Sequence, residues 1–152
     1  KKGKTHVLHI IRELLSFEPT SAGTDIAQAL QYFANAQKRH CTAFLISDFI
    51  GAGNMYQPLM IASNRHEVNA IQIYDRREAE LPNIGLVKFH DAETGNDLWV
   101  DTAITSVRDN YAQAWRDNQN EMQQLFTRTG VSHVSVRTDE DYVKALMHLF
   151  KC

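Results

Sequence analysis

At 152 residues with 43% hydrophobic content, the chain has the size and composition of one globular domain able to bury its own core. Sixteen Lys and Arg stand against 18 Asp and Glu, and the resulting net charge of −2 argues against a basic field that would gather nucleic acid or anionic lipid. No apolar run approaches the roughly 20 residues that cross a bilayer, and no signal-peptide pattern opens the chain. Cys41 and Cys152 have neither metal-type spacing nor the look of a disulfide framework, so a reducing, cytoplasmic setting is expected. The sequence enters a helical pattern almost at once without an initiator Met, which is the expectation for a fragment of a longer protein.

Val7, Ile10, Ile11, Leu14 and Leu15 recur at helical spacing behind a candidate cap at Thr5. A second helix is predicted in "TDIAQALQYFANAQ", with Ile26, Leu30, Phe33 and Ala34 on one face and Asp25 at the positive end of its dipole. The apolar run 41–47 then reads as a strand, followed by a Gly-containing loop, a helix near 56–65 and a strand near 68–74. Strand, helix, strand implies a right-handed parallel crossover, and near-continuous apolar strands imply a sheet covered on both faces.

"IGLVKFHDAETGNDLWVDT" predicts an added β-hairpin around Thr94-Gly95, with Leu86, Phe89, Leu98 and Val100 as its apolar residues. A long helix over about 104–128, capped by Asp101 or Thr102 and stopped by Gly130, carries a stripe from Val107 to Phe126. The strand "SHVSVRT" and a last helix with Tyr142, Leu146, Leu149 and Phe150 facing inward complete the order αα βαβ ββ αβα. The predicted fold class is α/β: three layers, a mostly parallel sheet with helices on both faces, and the hairpin.

Ligands of open parallel sheets collect beyond the carboxyl ends of the strands, and Asp48 occupies such an end. The helix beginning at Thr24 can bring a hydroxyl to the same rim, giving part of an oxygen cage for a small hard cation. The plainer reading is that Thr24 caps its helix and Asp48 caps a turn. "GAGNMY" followed later by Asp75 echoes a dinucleotide-binding fingerprint, but Tyr56 stands where its third glycine belongs. Asp101, Ala103 and Thr105 imitate an Asp-x-Ser-x-Ser metal loop in which Ala103 has no ligand to offer. The charges of "YDRREAELP" read as solvated surface, and Asp91, Glu93 and Asp97 at the hairpin lack the ligand ladder of a Ca2+ loop. The seven histidines form no compact zinc pattern, and no Gly-x-Ser-x-Gly elbow is present, so covalent catalysis is unsupported.

Taken together, "KGKTHVLHIIRELLSFEPTSAGTDIAQAL", "FLISDF", "RHEVNAIQIYDRREAELPNIGLVKFHDAETG", "VDT" and "TDEDYVKALMHLFK" resemble a bacterial family of uncharacterised proteins with a von Willebrand factor A-like domain, often encoded beside MoxR-type AAA+ ATPases. The resemblance implies a single domain over 1–152, the C-terminal part of such a domain, lacking its first strand and Asp-x-Ser-x-Ser loop. It implies that Thr24 in "GTDI" and Asp48 in "ISDF" are two elements of a metal-ion-dependent adhesion site. Mg2+ or a similar cation is expected in the full-length protein, and an incomplete, unoccupied site in this chain.

The function so implied is a protein-interaction module rather than an enzyme, with a MoxR-type ATPase as partner in chaperone-like assembly or maturation. The alternative is a nucleotide- or phosphate-binding α/β enzyme domain using the same strand-end crevice. With the first strand missing, residues 41–47 are expected to form a bare apolar edge through which two copies can associate.

Overall fold

Two parallel pairings build the main sheet, with its best-buried strand in the centre. The computed structural model describes residues 3–18, 24–90 and 95–150. In chain order the elements are α1 (Lys4–Ser16), α2 (Ile26–Ala36), β1 (Thr42–Ser47), α3 (Tyr56–Arg65), β2 (Glu67–Tyr74), α4 (Arg76–Ala79), β3 (Leu86–His90), β4 (Asp97–Asp101), α5 (Thr105–Thr129), β5 (Ser132–Arg137) and α6 (Tyr142–Leu149). The sheet runs β1-β2-β5, and β3 with β4 forms a separate antiparallel pair. Phe44 lies opposite Asn69, which lies opposite Ser132; Leu45, Ala70 and His133 share the other face.

That second face meets the helices. Val68 and Ala70 pack with Ile26 and Leu30 of α2, Leu59 and Ala62 of α3 and Phe126 of α5, together with Phe49 and Met55 from the loop after β1. The central β2 is buried at five consecutive positions, as its apolar run requires. Asn69 and Gln72 are buried with it.

β1 departs from the expectation of a strand covered on both faces. Its residues alternate between exposed and half-buried, with Phe44 46% and Ile46 58% exposed. The cause is coverage: the helix on the Phe44 face is α6, which packs on β5 and reaches β1 through the edge-on contact of Phe150 with Phe44 at 5.8 Å. For the same reason Tyr142 and Phe150 are exposed rather than inward, while Leu149 is buried and Leu146 half-buried.

Helix α1 forms where the apolar spacing places it, but Gly3 is its N-cap rather than Thr5, and none of its residues is buried. Helix α2 is capped by Asp25, whose Oδ1 accepts from Gln28 N at 2.8 Å, and it buries Ile26, Leu30 and Ala34. The run 75–80, expected to be solvated surface, instead contains α4. Asp75 accepts from Arg77 N while Glu78 accepts from Asp75 N, a reciprocal capping box.

Neither Asp101 nor Thr102 caps α5, whose N-cap Ile104 has no side-chain bond. Asp101 accepts from Ala103 N in a turn, and the buried Thr102 hydroxyl donates to Gly85 O at 2.7 Å and accepts from Ile84 N at 3.0 Å. Gly130 does end the helix, in the left-handed conformation. The hairpin strands pair from Leu86 with Asp101 to His90 with Asp97, and the turn residues Asp91, Glu93 and Thr94 lie outside the described residues.

Candidate functional site

The carboxyl end of β1 is a short loop tied to all three strands of the sheet. Phe49 takes a left-handed φ of 59°, unusual for a bulky residue, and its side chain is 1% exposed. The turn so formed buries the ring and leaves the preceding Asp48 at the surface. Ser47 Oγ accepts from Phe49 N at 3.1 Å, and Asp48 Oδ1 accepts from Ile50 N at 3.1 Å. Gln72 of β2 donates to Asp48 O at 3.2 Å, and Ser135 of β5 donates to Gln72 Oε1 at 2.9 Å. A polar chain thus crosses the sheet beneath the rim and fixes the loop from behind.

Asp48 therefore has a local use, since one of its oxygens caps its own turn. Its Oδ2 carries no protein hydrogen bond among the described residues. Thr24 is also exposed, and because Asp25 takes the helix cap the Thr24 hydroxyl is not used for that purpose. Ile26, two residues beyond Thr24, and Phe49, one residue beyond Asp48, belong to the same core cluster.

A Mg2+ ion takes about six oxygens in near-octahedral geometry, and Thr24 with Asp48 offers one hydroxyl and one carboxylate. Among the described residues no three His, Cys, Asp or Glu side chains gather where a metal could be held. The donor set of these two residues does not by itself fit the cation.

The other sequence candidates have structural employment. Asp75 caps α4 and its Oδ2 accepts from the Thr138 hydroxyl at 3.0 Å, so it is not offered to a ribose. The bonds from Arg77 N and Thr138 hold its carboxyl below the ordinary carboxylate range. Thr105 Oγ1 accepts from Arg108, and Asp101 is bound in its turn, so the imitation metal loop is a helix entry. Asp97 pairs with Lys88 at 2.6 Å and His90 at 2.9 Å, and these two partners lower its pKa. Gly51 and Gly53 both take positive φ in a loop whose Cβ positions meet nothing within 4 Å.

Two relationships escaped the sequence. The Gln72–Ser135 bond spans 63 positions and depends on strand register. Cys41 Sγ lies 3.7 Å from Nδ1 of the buried His66, whose Nε2 has no hydrogen-bond partner among the described residues. That thiol–imidazole contact sits at the amino end of the sheet, away from Asp48, and no spacing rule would have joined residues 25 apart.

These features define an α/β protein with a parallel three-strand sheet, an antiparallel hairpin and a polar rim built from turns and caps. Residues 1–121 match the family described as "Protein of unknown function DUF58", and the chain belongs to that family. It is 32% identical over 147 residues to an uncharacterized protein of Mycobacterium tuberculosis, covering 94% of this chain and 45% of that one. It is 33% identical over 135 residues to an uncharacterized protein of Mycobacterium avium, covering 88% and 78% of the two chains. The chain thus spans less than half the length of the Mycobacterium tuberculosis relative. No solved structure matches it. Among the described residues no helix is long and apolar enough to cross a membrane.

Proposed function

We propose that this chain is a protein-interaction module whose contact region is the rim at the carboxyl end of β1. The observation that carries the reading is Asp48, held outward by the buried left-handed Phe49 and backed by Gln72, with one carboxylate oxygen left for a partner. A surface carboxylate held by its own turn is preorganised, which lowers the ordering cost of recognition by a partner. The resemblance to von Willebrand factor A-like proteins extends the proposal to a MoxR-type AAA+ ATPase as partner, in assembly or maturation of another protein. A divalent cation at the rim would need oxygen ligands beyond Thr24 and Asp48.

The test is capture of a purified MoxR-type ATPase by this chain and by Asp48→Ala, with and without Mg2+, after circular dichroism has confirmed that the variant folds. Binding lost in the variant is the expected result, and equal binding by both chains discards the rim as the contact. Thermal stabilisation by nucleotide alone would favour the strand-end enzyme reading instead.

A further inference from the structure

Helix α5 rests on the sheet at two ring contacts and leaves a gap between them. Phe126 meets His133 with centroids 5.1 Å apart, and nearer the start of the helix Trp115 meets Tyr74, also at 5.1 Å. Gln119, Met122 and Gln123 lie between those contacts along α5, and the paired Gln72 and Ser135 lie between them along the sheet. The gap is a cavity of about 210 Å³, and its walls come from β2, β5 and α5, with no residue of the β1 edge among them.

The floor of this cavity is polar and short of partners. The buried Gln72 is engaged on both sides, donating to Asp48 O and accepting from the Ser135 hydroxyl, so Ser135 Oγ remains an acceptor. Gln119 Nε2 is shielded from solvent and finds no hydrogen-bond partner among the described residues. A shielded amide donor costs stability until something in the cavity accepts from it. No Asp, Glu, Lys or Arg lines the space. His133 is open to solvent on its outer side, yet desolvation beside Phe126 holds its pKa below the ordinary 6.5, so the imidazole is uncharged at neutral pH.

We propose that this cavity binds a flat, uncharged heterocycle of the nucleobase kind. Phe126, His133 and Met122 offer aromatic and thioether walls to the faces of a ring. A carboxamide carries a donor and an acceptor side by side, the pairing through which glutamine reads the edge of adenine, and Gln119 and Gln123 present two of them. Phosphate, carboxylate or ammonium groups would be desolvated here without a counter-charge. Size points the same way. The volume falls below the roughly 300–1,000 Å³ that hold drug-sized ligands, so a base enters while any sugar attached to it stays at the mouth, beside the exposed Gln123 and Ser135. Water is the competing occupant, since a polar space of this volume holds several molecules. The site does not use the Asp48 carboxylate.

Adenine and uracil are titrated against the isotope-labelled chain while the Gln119 side-chain amide is followed by NMR. At least one of them should shift that signal saturably, with a Kd of about 1 mM or below. Orotate, which is uracil bearing a carboxylate, and indole, a flat ring without an acceptor, should leave it in place. Gln119→Ala keeps the room but removes the amide, and should weaken binding in calorimetry by about tenfold or more. The control Gln113→Ala, at an exposed position of the same helix, should bind as the wild type does. Circular dichroism of both variants secures their folds. A Gln119 signal that neither base moves up to its solubility means that the cavity holds water only, and overturns the proposal. So does full-strength binding by Gln119→Ala, or binding of orotate or indole equal to that of the bases.

Discussion

The ring of Phe49 meets that of Phe126 edge-on, with centroids 5.4 Å apart and planes inclined at 73°. This contact joins the loop after β1 to the last turn of α5, and it explains how a bulky residue is kept at a φ of 59°. The left-handed conformation costs about 1–2 kcal/mol for a residue with a Cβ. Burying a Phe side chain is worth roughly as much or more, so the ring wins and the backbone strain stays next to Asp48.

Two substitutions separate these opposed terms. Phe49→Ala removes the ring but retains the strain, and it should lower stability by about 3–5 kcal/mol in urea titrations. Phe49→Gly also loses the ring but relieves the strained φ, so it should unfold at higher urea than the alanine variant, by about 1 kcal/mol. An alanine variant more stable than the glycine one would mean that the loop relaxes to another conformation when the ring is gone.

Thr102 makes a comparable prediction at the base of the hairpin. Its buried hydroxyl donates to Gly85 O and accepts from Ile84 N, while its own N–H also donates to Gly85 O at 2.9 Å. Thr102→Val keeps the shape but leaves Ile84 N without its acceptor, so a loss of about 1–3 kcal/mol is expected. Thr102→Ser keeps the hydroxyl and should lose less. The comparison is read from chemical denaturation of the three chains.

The element order was legible because periodicity is local: α2 and α5 lie where the apolar stripes through Ile26 and Phe126 put them, and α3 and β2 lie close to the expected 56–65 and 68–74. Coverage was not, because it depends on what lies across the sheet. Phe44 and Ile46 look like core residues in sequence and are exposed because α6 sits over β5 instead. Helix α4 was missed although Asp75-x-x-Glu78 is a capping-box spacing, since the run of charges masked it. At the candidate site the sequence put Asp48 just past the end of β1, where it lies, while the positive φ of Phe49 and the support from Gln72 had no sequence signal: neither glycine nor asparagine stands at position 49.

Gly130 tests the end of α5. It caps the helix at a φ of 67°, its N–H donates to Thr127 O, and a Cβ built there would meet nothing within 4 Å. The cost of Gly130→Ala is therefore conformational rather than steric, and about 1 kcal/mol of destabilisation is expected from thermal or urea unfolding. A loss several times larger would imply that the turn into β5 has been rebuilt.

Asp75 supplies the pH dependence. Its carboxylate accepts first from Arg77 N and then from the Thr138 hydroxyl, with Arg77 and Arg137 adding favourable charge, so its folded pKa lies below the ordinary value of 3.8. A depressed carboxylate stabilises the fold above the unfolded pKa, and that contribution is lost as pH falls through the ordinary value toward the folded one. Asp75→Asn removes the charge in both states. At neutral pH the variant should melt below the wild type; as the pH is lowered past 3.8 the two melting temperatures should converge, because the wild-type group is then neutralised as well. A gap that stays constant from pH 7 to pH 3 would place the role of Asp75 in hydrogen bonding that asparagine fails to reproduce, independent of its charge.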